Sequence, residues 1–191
     1  HAKIEGFAFL PMMSFNMATT TFISQNLGAK QYDRAKKGAR FGILTAVLLA
    51  ELVGVLIYIF APQLIGMFDD NAEVIRLGVQ QARTAALFYF LLAFSHAVAA
   101  VCRGAGKAFV PMFVMLSIWC AVRIAYIALV TRLFNDIGLI YWAYPLTWAI
   151  SSVIYLFYYL FSDWIHGFDK QNNSTGFRGI RAWFKRSTRG A

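Results

Sequence analysis

Residues 41–68 read FGILTAVLLAELVGVLIYIFAPQLIGMF, twenty-eight residues with one charged side chain, Glu51. The hydrocarbon core of a bilayer is about 30 Å thick and an α-helix rises about 1.5 Å per residue, so roughly 20 apolar residues cross it. The stretch therefore reads as a membrane span. The pattern recurs on both sides. Residues 6–29 carry no charge, 84–102 none beside the titratable His96, 108–131 only Arg123, and 137–162 none. Backbone polar groups in lipid are satisfied inside a helix, and the period-2 alternation of a membrane barrel strand is missing from all five stretches. The expected fold class is all-α, a polytopic membrane protein with five transmembrane helices over residues 1–168 and a basic tail over 169–191.

Composition agrees. The chain is 59% hydrophobic and 14% charged, against about 25% charged in an ordinary soluble domain. Its two cysteines, Cys102 and Cys120, lie inside apolar stretches, so neither a disulfide framework nor a Cys/His metal site is expected. His1, Lys3 and Glu5 lead straight into an apolar run, which is not a signal-peptide pattern. The chain reads as a piece of a longer protein.

The net charge of +9 raises a nucleic-acid reading, which the placement of the charges removes. Lys30, Arg34, Lys36, Lys37 and Arg40 lie between the first two spans, Arg103 and Lys107 between the third and fourth, and Lys170, Arg178, Arg181, Lys185, Arg186 and Arg189 in the tail. These thirteen face only four on the other side, Lys3, Arg76, Arg83 and Arg132. The positive-inside rule puts the larger set, and the C-terminus, in the cytoplasm, with no nucleic-acid partner required. A multi-pass protein of the cell membrane, of the bacterial inner-membrane kind, is expected. In the tail, Phe177, Ile180, Trp183 and Phe184 oppose basic residues at helical spacing, which suits a short amphipathic helix on an anionic leaflet. A disordered basic tail is the alternative. Asn71-Ala72-Glu73 has the form of a helix start, with acid in the first turn.

Soluble catalytic signatures fail. Arg103-Gly104-Ala105-Gly106-Lys107 superficially resembles a phosphate loop, but Val101 and Ala108 stand where Gly and Ser or Thr are required. The chain is not expected to be an enzyme. Ionisable residues within spans remain, because an Asp, Lys or Arg at a helix centre costs about 2.5 to 3.5 kcal/mol even on insertion scales. Glu51 and His96 are the ion-coupling candidates. For Glu51 the structural alternative is a carboxylate tied to a neighbouring helix, or a helix whose true start is later. For His96, whose reference pKa is about 6.5, it is an imidazole bonded to a helix carbonyl. Arg123 lies more than two turns inside the outer end of its span, where anchoring with partial snorkelling outweighs a substrate role. Asn16 and Thr20, in a polar run with Ser14, Thr19 and Thr21, are candidates to line a polar path or to pack helices.

Pro11-Met12-Met13-Ser14, Gln25-Asn26-Leu27-Gly28-Ala29 with Tyr32-Asp33-Arg34-Ala35, Phe60-Ala61-Pro62-Gln63-Leu64-Ile65-Gly66-Met67-Phe68, and Arg103-Gly104-Ala105-Gly106-Lys107 with Pro111-Met112 follow one another in an order and spacing that resembles the multidrug and toxic compound extrusion (MATE) family. The resemblance implies helices eight to twelve of a twelve-helix, two-lobe bundle. It implies part of a secondary antiporter that exports drugs or organic cations in exchange for protons or sodium. The partners it implies are the bilayer, a small amphipathic or cationic substrate and the missing amino-terminal lobe. No cofactor or metal is implied beyond the coupling ion, bound mainly outside this chain. Some relatives place a carboxylate in the helix corresponding to residues 84–102, which here contain neither Asp nor Glu. Gln25, Asn26, Gly28, Arg34, Arg103, Gly104, Gly106 and Pro111 carry the resemblance as gating or scaffold positions. Gly28 is expected to end its helix in a left-handed cap, with Gln25 and Asn26 on the last carbonyls, and Gly104 and Gly106 to permit the next reversal. The alternatives are a flippase for lipid-linked precursors from the same superfamily and a non-transporting membrane module.

Overall fold

The computed structural model describes residues 2–68, 71–133, 139 and 141–165. The expected tail over 169–191 lies outside the described residues. In chain order the helices are α1 (Ala2–Gly28), α2 (Tyr32–Gly66), α3 (Ala72–Ala86), α4 (Tyr89–Gly104), α5 (Phe109–Leu133) and α6 (Ala143–Phe161). Among the described residues there is no strand, as the all-α reading expects. By length and composition α2, α5 and α6 are each sufficient to cross a membrane, and α3 with α4 forms a fourth candidate bent by 54°. α1 has the length of a span at 27 residues, with Ser14, Asn16, Thr19, Thr20, Thr21 and Ser24 interrupting its apolar sequence.

α2 organises the bundle through small side chains. Its buried residues Ala35, Ala39, Gly42, Ala46, Ala50, Gly54, Ile57, Ala61 and Ile65 recur every three or four positions, so they form one stripe. Lipid tails are as apolar as leucine, so helices in a membrane associate by close packing, which small residues allow. A Cβ on Gly42 would meet the Thr19 side chain at 3.0 Å, and one on Gly54 would lie 2.8 Å from the Ala86 carbonyl oxygen. α1 and α3 are seated in this way. Opposite the stripe, Phe41, Leu44, Leu48, Leu52, Val55 and Ile59 are exposed, as suits a lipid-facing surface.

α2 begins nine residues earlier than the expected span at 41, so Arg34, Lys36, Lys37 and Arg40 stand on helix rather than in a loop. Thirty-five residues make about 52 Å of helix against a hydrocarbon core of about 30 Å, which leaves the basic end projecting beyond it. The stretch expected as one helix over 84–102 is broken at Leu87 and Phe88. α3 begins where Asn71-Ala72-Glu73 suggested, with the Asn71 side chain accepting from the Glu73 N–H at 2.9 Å. Its Ala82, Ala85 and Ala86 lie in the same buried cluster as Ile57, Ala61 and Ile65 of α2, and the chain bends where α3 leaves that groove. α6 starts at Ala143, with Pro145 in its first turn, where a missing N–H breaks no helical bond; the expected start of this span near 137 lies outside the described residues.

α4 and α6 are joined by serines. Ser151 donates to the Trp148 carbonyl at 3.0 Å and Ser152 to the Leu91 carbonyl at 2.8 Å. Ser95 lies 3.2 Å from the Ser151 hydroxyl and 2.9 Å from that of Ser152, so its O–H is the donor that completes the cluster.

The two turns at the basic end share one geometry. After α1 the Gln31 N–H bonds the Asn26 carbonyl at 2.8 Å and the Lys30 N–H that of Leu27 at 3.0 Å. After α4 Lys107 and Gly106 bond Cys102 and Arg103 at 2.9 and 3.0 Å. Both are Schellman caps. The left-handed residue is Gly106 (φ 77°) in one and Lys30 (φ 58°) in the other, so Gly28 is not the left-handed cap it was expected to be. The last carbonyls of α1 are taken by main-chain N–H groups, while the Asn26 amide turns back to the Phe22 carbonyl at 2.7 Å. Gly104 is inside α4, and its role is contact. A Cβ there would lie 2.7 Å from the Thr20 carbonyl oxygen and 2.8 Å from Ile23 Cβ.

Candidate functional site

α1, α4, α5 and α6 line a half-open cavity of about 420 Å³ formed by Gly6, Met12, Met13, Asn16, Leu92, His96, Trp119, Arg123, Tyr144 and Trp148. That volume suits a small organic molecule. Three of the five candidates read from the sequence, Asn16, His96 and Arg123, come together here from three different helices.

The α5 contribution depends on a local irregularity. Residues Met115–Val122 form a π-helical stretch within the longer helix, and such bulges re-aim the side chains at and beyond them. Trp119 lies in this stretch and Arg123 follows it, and both line the cavity. Arg123 Nη2 donates to Thr147 Oγ1 at 2.7 Å, and the guanidinium carbon sits 4.6 Å from the Tyr144 ring centre and 5.4 Å from that of Trp119. Thr147 directs its own proton to the Ala143 and Tyr144 carbonyls at 2.9 and 3.0 Å, so its oxygen is the acceptor. Arg123 therefore ties α5 to α6, reaching across to Thr147 rather than outward.

His96 presents its ring edge-on to Trp119, with centroids 5.3 Å apart and planes at 83°. The imidazole bonded to a helix carbonyl is not what the described residues show. Asn16 is 6% exposed, and its Oδ1 has no hydrogen-bond partner among the described residues; the indole N–H of Trp119 is in the same position. Thr20 is not among the lining residues. Its hydroxyl lies 2.9 Å from the Asn16 carbonyl and 3.1 Å from the Ala100 carbonyl, which ties α1 to α4. Glu51 also stands outside the cavity, half-buried on α2 beside the small-residue stripe, and its Oε2 has no hydrogen-bond partner among the described residues. The expected tie to a neighbouring helix is absent from the described residues.

Sequence reasoning missed Trp119, Tyr144 and Trp148. An aromatic four residues before an intramembrane arginine is a signal, but a faint one in a chain that is 17% aromatic. The motif positions gather mainly at the basic end. Gly38 leaves the space that the Phe22 ring fills, and Arg34 lies over that ring at 5.8 Å. Lys107 donates to the Asp163 carbonyl at 2.8 Å beyond α6. Gln25 and Arg103 are exposed, and Pro111 is buried with its carbonyl accepting from the Tyr155 hydroxyl at 3.4 Å. No cluster of three or more His, Cys, Asp or Glu suited to a metal occurs among the described residues.

The family model MatE matches residues 2–129. The chain is 24% identical over 161 residues to the probable multidrug resistance protein YoeA of Bacillus subtilis, covering 83% of this chain and 35% of that protein. It is 27% identical over 120 residues to the probable multidrug resistance protein NorM of Thermotoga maritima, covering 62% and 26%. The chain thus spans about a third or less of these relatives. Among solved structures, an inward-facing multidrug resistance MATE family transporter of the MOP superfamily superposes with a TM-score of 0.74 at 16% identity, covering 91% of this chain and 39% of that one.

Proposed function

The chain belongs to the MATE family, and from that membership we propose that it forms the carboxyl-terminal lobe of a secondary antiporter exporting drugs or organic cations. The observation that carries the reading is the 420 Å³ cavity, walled by Trp119, Tyr144 and Trp148 and reached by Asn16 and His96. Aromatic faces and methionines accept flat apolar compounds of varied shape, and a cavity between four helices is where a bundle holds a ligand. A lipid-phosphate flippase is not favoured, since the Arg123 guanidinium is already clamped by Thr147, Trp119 and Tyr144. On this proposal, coupling to protons or sodium falls mainly to the other lobe, with His96 and Glu51 the candidates in this one.

Export is tested by expressing the full-length protein in cells lacking their own efflux pumps and following ethidium and norfloxacin accumulation. Lower accumulation, reversed by a protonophore or by removal of sodium, is expected. Equal accumulation with and without the protein sinks the reading. In the same assay Glu51→Gln and His96→Ala are expected to keep the pH and sodium dependence of export. Its loss in either variant moves coupling into this lobe.

Orientation is part of the proposal. In a version without native cysteines, a cysteine at Asn71 is expected to react with an impermeant reagent added outside intact cells, and one at Gln31 only after the membrane is opened. The reverse pattern inverts the topology.

A further inference from the structure

α3 has two faces. Ile75, Val79, Ala82, Ala85 and Ala86 belong to the buried cluster shared with α2. Arg76, Gln80, Arg83 and Thr84 instead line, with Tyr58, Val79 and Leu87, a cleft of about 460 Å³ between the two helices. Arg83 is held in position, its Nε donating to the Tyr58 carbonyl at 3.3 Å and its guanidinium 5.3 Å from the Tyr58 ring centre. Arg76, two turns away on the same helix, is exposed.

The depth of the cleft follows from α2. Arg40 ends the basic run of that helix, and Tyr58 comes eighteen residues later, about 27 Å at helical rise, close to the thickness of the hydrocarbon core. With Arg40 in one headgroup layer, Tyr58 and the cleft lie at the other, where tyrosine and arginine are both at home. Towards the membrane centre the neighbouring surface turns apolar, with Leu87 and Val55 exposed at 56% and 48%. Two guanidinium groups at headgroup depth above an apolar wall match an anionic head attached to an acyl chain.

We propose that this cleft binds the phosphate headgroup of an anionic phospholipid, with Arg76 and Arg83 on the phosphate, Gln80 on the polar head, and the acyl chain along Leu87 and Val55. The site is separate from the central cavity, and the proposal does not depend on transport. Its test is native mass spectrometry of the full-length protein, delipidated in detergent and titrated with phosphatidylglycerol or phosphatidylcholine of identical chains. Wild type is expected to retain phosphatidylglycerol with about a tenfold preference. Arg76→Gln and Arg83→Gln should each reduce that preference, and the double variant should erase it. Arg132→Gln, which removes an exposed charge on another helix, should leave it unchanged. Arg76 is exposed, so Arg76→Gln carries the test if Arg83→Gln disturbs folding through Tyr58. Equal retention of both lipids by wild type, or a preference that survives in the double variant, overturns the proposal. Displacement of the bound lipid by glycerol phosphate at matched concentration assigns the cleft to a soluble anion and overturns the lipid as its occupant.

Discussion

Gly104→Leu is expected to abolish accumulation of folded protein in the membrane, and Gly104→Ala to destabilise it by about 1 to 3 kcal/mol, the usual cost of forcing atoms into a closed contact. The atoms that a Cβ would strike are the Thr20 carbonyl oxygen at 2.7 Å and Ile23 Cβ at 2.8 Å. Neither is the far end of a flexible side chain, so relief requires α1 and α4 to separate. Separation would also break the Thr20 hydroxyl contact to the Ala100 carbonyl at 3.1 Å and expose Ile23, which is fully buried. Gly54→Ala should behave similarly against the Ala86 carbonyl. Gly28→Ala and Gly66→Ala meet nothing within 4 Å and should change little. Thermal unfolding of the purified variants checks the contrast. A Gly104→Ala protein as stable as Gly28→Ala would mean that α1 and α4 do not pack this closely.

Arg123→Lys is expected to lose most of what Arg123→Met loses. The guanidinium is planar, so it stacks on Tyr144 and Trp119 while still donating to Thr147. An ammonium is a compact point charge that does not reproduce this geometry. A desolvated cation–π contact contributes about 2 kcal/mol and a charged hydrogen bond about 1.5 to 3 kcal/mol. Either substitution should therefore lower stability by a few kcal/mol and, if the cavity carries substrate, lower export by more than tenfold. Thermal unfolding and dye export in the full-length protein measure the two effects. Full activity in Arg123→Lys would reduce the residue to a charge with no need of its shape.

Helical class and membrane location were legible because each rests on a property of the segment alone. A run such as 41–68 has to satisfy its backbone internally wherever it packs. The motif blocks also identified the family, since order and spacing along the chain are read directly. The start of α3 was legible for the same reason, because Asn71 caps through a bond two residues away.

What the sequence determined by itself was therefore what local chemistry decides: helices, the crowding of basic residues at one end, and ionisable residues inside spans that needed an account. Tertiary structure decided the rest. It broke the third span at Leu87, where Ala82, Ala85 and Ala86 pack against α2. It gave Gly104 to a helix contact and the left-handed cap to Lys30. It set Thr20 and Glu51 outside the cavity and brought Trp119, Tyr144 and Trp148 into it. The physical reason is common to these cases. Which side a residue faces within an all-apolar helix leaves no polar alternation in the sequence, and only the approach of a neighbouring helix selects it.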